Sequence, residues 1–111
     1  MPTIYIYEEK CRFCPEIVRN AILLNEEGKT IQLGDMNERQ RNIAIQYGIT
    51  TKRVKKSDGQ EKTVAICPRC KNVPFPLEFR DLRNLHITPN VQIDLDNQDN
   101  IVKETINKNF K

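Results

Sequence analysis

Hydrophobic and polar positions divide the chain into short segments. Thr3-Ile4-Tyr5-Ile6-Tyr7 is apolar or aromatic on both faces, the pattern of a strand inside a sheet covered on both sides. From Pro15 to about Glu27, Ile17, Val18, Ala21, Ile22 and Leu24 recur at helical spacing. That stripe predicts an amphipathic helix with Pro15 in its first turn and Gly28 as its stop. Thr30 to Leu33 predicts a short strand. Asp35 or Asn37 is placed to cap a second helix running to about Tyr47, with Ile43 and Tyr47 inward and Gly48 closing it.

The pattern changes at Ile49. Lys52-Arg53-Val54-Lys55-Lys56, the turn signal Ser57-Asp58-Gly59-Gln60, and Lys62-Thr63-Val64-Ala65-Ile66 predict a basic hairpin whose second arm leads into Cys67. Val73-Pro74-Phe75-Pro76 is too proline-rich for a helix. Leu77 to Leu85 fits either a strand or a short helix, and Thr88-Pro89-Asn90 is a turn. Val91, Ile93 and Leu95 alternate with Gln92 and Asp94, the pattern of a half-exposed strand. Asn97 or Asp99 is placed to cap a last helix, in which Val102, Ile106 and Phe110 share a face with Ile101.

At 111 residues the chain predicts one domain with one modest core. It has no Trp, only four Phe and three Tyr, so that core is aliphatic and thin, and a metal or disulfide staple would matter. The longest apolar run is far short of a membrane span, and the first residues lack a signal-peptide pattern. The expectation is a cytoplasmic protein without a membrane partner. Structural disulfides are disfavoured in that compartment.

The chemistry therefore centres on four cysteines. They form two pairs, Cys11-Arg12-Phe13-Cys14 and Cys67-Pro68-Arg69-Cys70. Two C-x-x-C pairs in a reducing setting point to metal or redox work. His86, the single histidine, lies between Leu85 and Ile87 and reads as a packing residue. With one histidine no Ser-His-Asp set can be assembled, and the four Gly are too scattered for a phosphate-binding loop. Glu8 and Glu9 read as surface charges at a strand end.

The first half carries a family resemblance. Strand Ile4–Tyr7, then C-R-F-C, then a helix containing Ala21 and Leu23-Leu24, then Gly28, resembles the opening of thioredoxins and glutaredoxins. Asp35-Met36-Asn37 and the run Ile43-Ala44-Ile45-Gln46-Tyr47-Gly48-Ile49-Thr50 resemble their second strand and second helix. The family next makes a cis-proline turn facing its C-x-x-C. Here Thr51-Lys52-Arg53 follows instead, and the later candidates are Thr88-Pro89, closer in type, and Val73-Pro74.

The resemblance implies an α/β fold, a small thioredoxin-like sandwich with an inserted basic hairpin and zinc knuckle. Residues 1–51 would be the βαβα portion, 52–87 the insertion, and 88–111 a strand and C-terminal helix. An insertion at that point would place Cys67 and Cys70 beside Cys11 and Cys14.

Two chemistries compete for these sulfurs. Four thiolates satisfy the tetrahedral preference of Zn²⁺, and two residues between cysteines let one tight turn supply two ligands. Cys67-Pro68-Arg69-Cys70-Lys71-Asn72 has the form of a zinc knuckle, with Pro68 fixing the turn and Asn72 suited to the left-handed conformation wanted after the second cysteine. The leading reading is thus a zinc-stabilised binding or accessory module with Cys11, Cys14, Cys67 and Cys70 as ligands. An iron–sulfur cluster would use the same ligands. The alternative is a thioredoxin- or glutaredoxin-like thiol–disulfide oxidoreductase. There a helix N-terminus would activate Cys11 as nucleophile, and Cys14 would be the resolving thiol.

Charge adds a possible partner. Residues 52–71 carry seven basic and two acidic groups, whereas residues 1–51 and 72–111 are each at −1. The segment from Lys52 to Lys71 would meet either nucleic-acid phosphates or an acidic protein, or serve as a solvated face.

Overall fold

The protein is described from a computed structural model, which covers residues 2–11, 13–55, 57–72 and 90–106. The chain runs through strands β1 (Thr3–Lys10), β2 (Ile17–Leu24) and β3 (Thr30–Gln32), a 3₁₀ turn (Leu33–Asp35) and helix α1 (Glu38–Ile45). Strands β4 (Thr51–Lys55), β5 (Glu61–Ala65), β6 (Val91–Leu95) and β7 (Ile101–Ile106) follow. They form an antiparallel five-stranded sheet in the order β3-β2-β1-β6-β7 and a separate β4–β5 hairpin. Among the described residues 46 % are in strands and 13 % are helical. A β-rich antiparallel arrangement with one α-helix corrects the expected α/β, thioredoxin-like sandwich.

The largest correction falls on residues 15–27, expected as a helix. They form β2, paired with β1 over its full length from Thr3↔Leu24 to Lys10↔Ile17. The apolar stripe that suits a helix also serves a strand buried on both faces. Ala21 and Leu23 face the main core, while Val18 and Ile22 are buried on the other side. Ile17, Val18 and Ile22 are β-branched, which favours the pleated surface. The Cys11 N–H donates to the Glu16 carbonyl at 2.9 Å, closing a hairpin loop that holds the first cysteine pair. Pro15 therefore sits in a hairpin tip rather than at a helix start.

The second helix is as expected. Asn37 accepts from the Gln40 N–H, and the Gln40 side chain accepts from the Asn37 N–H, a reciprocal capping box. Gly48 ends the segment at φ +87°, a left-handed position glycine adopts without strain. Ile4, Ile6, Ala21, Leu23, Val91, Ile93 and Leu95 form the inner face of the large sheet. Leu33, Met36, Ala44, Ile49 and Ala65 cover it. The 3₁₀ turn, α1 and the base of the β4–β5 hairpin thus make a second layer on one face of the sheet.

The expected basic hairpin is present, with Thr51↔Ala65 to Lys55↔Glu61 in register and Gly59 at φ +87° in its turn. Strand β6 alternates buried and exposed residues as expected. The expected C-terminal helix is not formed by its described part. The Asp96 carboxylate accepts the N–H groups of Gln98 and Asn100, Asp99 takes φ +61°, and the Asp96 N–H donates to the Asn100 carbonyl. That turn reverses the chain, so residues 101–106 pair with β6 as an edge strand with every residue exposed. Asn97 and Asp99 cap no helix; the Asp99 carboxylate instead accepts from Asn37 and Gln40 of α1. Val73-Pro74, Leu77 to Leu85, His86, Thr88-Pro89 and Phe110 lie outside the described residues.

Candidate metal centre

The four cysteines form one cluster. Cys11 and Cys14 lie in the loop between β1 and β2, and Cys67 and Cys70 in the turn that follows β5. Their Sγ atoms all lie within 4.8 Å of one another. Cys11 Sγ is 3.7 Å from Cys70 Sγ, and Cys14 Sγ is 3.5 Å from Cys67 Sγ. Zn–S bonds of about 2.3 Å set the sulfurs of a tetrahedral site about 3.8 Å apart. The donor set and its spacing therefore fit a four-thiolate metal site. The thiols are not joined by disulfides.

Each pair is held by its own backbone. In the first loop the Phe13 N–H donates to Cys11 Sγ at 3.4 Å. In the second the Arg69 and Cys70 N–H groups act on the Cys67 sulfur and favour its thiolate. The Cys67 carbonyl accepts from the Lys71 N–H and its N–H donates to the Asn72 carbonyl, both at 3.0 Å. The left-handed residue is Lys71, at φ +63°, and not Asn72 as the sequence suggested. Such N–H···S bonds spread the charge of a thiolate and fix its direction.

The wider fold brings the loops together. The long β1–β2 hairpin carries the first loop past the sheet edge. The Ile66 N–H donates to the Thr50 carbonyl at 2.8 Å, extending the β4–β5 pairing up to Cys67. Val18 of β2 is fully buried against Cys11 and Cys67, with Cys14 and Cys70 packed around them. The expected convergence of the pairs is thus observed, but it comes from two antiparallel hairpins and not from an insertion beside a thioredoxin sheet.

Electrostatics distinguishes the sulfurs. Desolvation works to raise the pKa of Cys67, but the N–H groups of Cys70 and Arg69 and the neighbouring thiols of Cys14 and Cys70 bring it down to about 7. The Glu16 N–H acts to lower that of Cys14. Desolvation and the sulfurs of Cys67, Cys11 and Cys70 together outweigh it and push Cys14 up to about 12. Crowded thiolates repel one another, and a divalent cation among them removes that repulsion. Among the described residues no helix N-terminus adjoins Cys11 or Cys14, and β2 follows them. The helix from Pro15 whose dipole was to activate Cys11 in the oxidoreductase reading is a strand instead.

The basic segment is divided in its roles. Lys62 is largely buried, bonded to Gln32 at 2.7 Å and to Asp35 at 3.3 Å. Arg53 pairs with Glu61 at 3.6 Å. Lys52, Lys55, Arg69 and Lys71 are exposed, and the Lys52 Nζ donates to the Lys71 carbonyl at 3.3 Å. Lys56 lies outside the described residues. Glu8 pairs with Arg19 across the β1–β2 hairpin at 3.2 Å.

Sequence reasoning passed over Phe13, which is 61 % exposed between the first two cysteines. The signal was available: Phe13 and Arg69 each occupy the third position of a C-x-x-C.

Among the described residues no helix is long and apolar enough to cross a membrane. Comparison with protein-family models, curated proteins and solved structures finds no match for this chain.

Proposed function

We propose that this chain is a zinc-stabilised binding module in which Cys11, Cys14, Cys67 and Cys70 hold one Zn²⁺. The observation that carries the reading is the convergence of four sulfurs within 4.8 Å from two loops of the C-x-x-C form. Four protein thiolates fill the tetrahedral shell and leave no open position, which suits a structural metal. Held there, the ion ties the β1–β2 hairpin to the end of β5, adding a cross-link to a small aliphatic core. The cysteines must stay reduced for this, so the reading implies a reducing compartment. Partner contact falls to the surface around the metal loops and the basic hairpin.

Native mass spectrometry and elemental analysis of the purified chain test the proposal. One zinc per chain, with thiols slow to react until a chelator is added, is the expected result. A metal-free protein that reduces a model disulfide, and loses that activity in Cys11→Ser, would overturn it in favour of thiol–disulfide exchange.

A further inference from the structure

We propose that the metal-bearing end of the protein binds single-stranded nucleic acid, with a base stacked on Phe13 and phosphates held by Lys52, Arg69 and Lys71. The inference rests on the zinc-module reading, because the metal fixes the two loops against each other.

The two loops present equivalent positions. Phe13 and Arg69 are each two residues beyond the first cysteine of their pair; the Phe13 N–H donates to Cys11 Sγ, and the Arg69 N–H favours the Cys67 thiolate. The cysteine sulfurs approach to 3.5 and 3.7 Å across the pairs, so one aromatic ring and one guanidinium group are carried by adjoining tips. Phe13 is the one aromatic among the exposed large hydrophobic side chains of the described residues. Its backbone is committed to the metal loop, so the ring is offered from a rigid support at low ordering cost. A ring left in water on such a support is a ready stacking surface, since every base has a π-face.

The second loop and the hairpin beside it carry three cations. Arg69 and Lys71 are exposed and make no ion pair among the described residues. Lys52 reaches the same end, because its Nζ is bonded to the Lys71 carbonyl. The acidic groups of this segment do not cancel them there. Asp58 and Glu61 lie at the far end of the hairpin, and Glu61 is paired with Arg53. A four-thiolate zinc centre carries a charge of about −2 and offsets part of this field. The balance favours a few phosphate contacts combined with stacking over the many contacts of duplex binding. Stacking itself requires an unpaired base, which selects a single strand.

Fluorescence anisotropy on the zinc-loaded full chain tests the proposal, using labelled 12-mers of oligo(U) and oligo(dT), a matched duplex and a poly-glutamate peptide. Binding of either single strand in preference to duplex and peptide is expected, and the two oligomers separate RNA from DNA as the source. Three phosphate contacts give a slope of log K against log salt of about −2, and Arg69→Ala or Lys71→Ala reduces it by about 0.7 each. Phe13→Ala weakens binding about tenfold, while Phe13→Trp retains it. The chain has no Trp of its own, so quenching of the introduced indole on binding reports stacking directly. Zinc content is measured on the same samples. Zinc-loaded protein that ignores single strands, prefers duplex or peptide, or binds equally after Phe13→Ala overturns this inference and leaves the zinc module standing. Protein that holds no zinc removes both.

Discussion

Cys14 Sγ lies 3.5 Å from Cys67 Sγ although the residues are 53 positions apart in the chain. Neither loop is stabilised by the other through a main-chain ladder; the sheet containing β1 and β2 is separate from the β4–β5 hairpin. Among the described residues, Val18 packs against Cys11 and Cys67 at this end, Arg19 of β2 donates to the Tyr47 carbonyl, and the four sulfurs meet. A metal held at this point would therefore act as a cross-link between two substructures.

If the proposed zinc is bound, removing it with a chelator is expected to destabilise the protein by several kcal/mol, because the binding free energy of a structural zinc is folding free energy. Cys67→Ser should mimic the loss, since Cys67 is fully buried. Thermal melts with and without chelator measure both, and a variant that melts with zinc-loaded wild type would contradict the cross-link.

The packing of the hairpin on the 3₁₀ turn depends on Gly34. A Cβ there would lie 2.6 Å from the Thr63 carbonyl oxygen and 2.4 Å from Lys62 Cγ. The Lys62 chain can swing aside, but the Thr63 backbone cannot move without shifting β5. Gly34→Ala should cost about 1–3 kcal/mol and also weaken zinc retention, because β5 leads directly into Cys67. Denaturant melts and competition with a chromogenic chelator give the two readouts; a stability loss with unchanged zinc affinity would show that β5 does not position the site.

Tyr47 sets an alkaline limit. Desolvation, together with its hydrogen bond to the Glu104 carboxylate and the charge there, raises its pKa from 10.0 to about 12. A phenol whose folded pKa is raised contributes stability that is complete below pH 10.0 and is lost as pH rises towards about 12. Tyr47→Phe should cost about 0.5–1 kcal/mol near neutral pH and flatten the loss over that window. Stability measured by urea titration at several pH values checks this; an unchanged alkaline slope would show the Tyr47–Glu104 bond to be without weight.

Asp96 sets the corresponding acid limit at the β6–β7 turn. The N–H groups of Asn100 and then Gln98 hold its carboxyl below the ordinary aspartate value. A depressed carboxyl contributes stability above that value and loses it as pH falls further. Asp96→Ala should speed amide hydrogen exchange in residues 97–106 at neutral pH while leaving β1 and β2 protected. Uniform protection in that variant would mean that the turn holds without its carboxylate.

Much of the local structure was legible along the chain. The alternation of Val91, Ile93 and Leu95, the turn at Ser57–Gln60, and the capping pair Asn37 and Gln40 are short-range signals. The turn and the capping pair are closed by residues a few positions away, and the period-2 alternation is itself local even though Ile4 and Ile6 of β1 are what bury it. Sequence alone also determined that two C-x-x-C turns, local geometries that offer two sulfurs each, are present as a candidate donor set.

Tertiary structure decided what period and spacing left open. Ile17, Val18, Ala21, Ile22 and Leu24 fit one face of a helix or both faces of a buried strand equally well. Only pairing with β1, and cover on both sides, selected the strand. Residues 101–106 were decided by Asp99, whose left-handed turn returned them to the open edge of β6. The juxtaposition of Cys14 with Cys67 depends on two hairpins meeting over more than fifty residues. Long-range closure of that kind is set by which surfaces bury each other, and no local pattern encodes it.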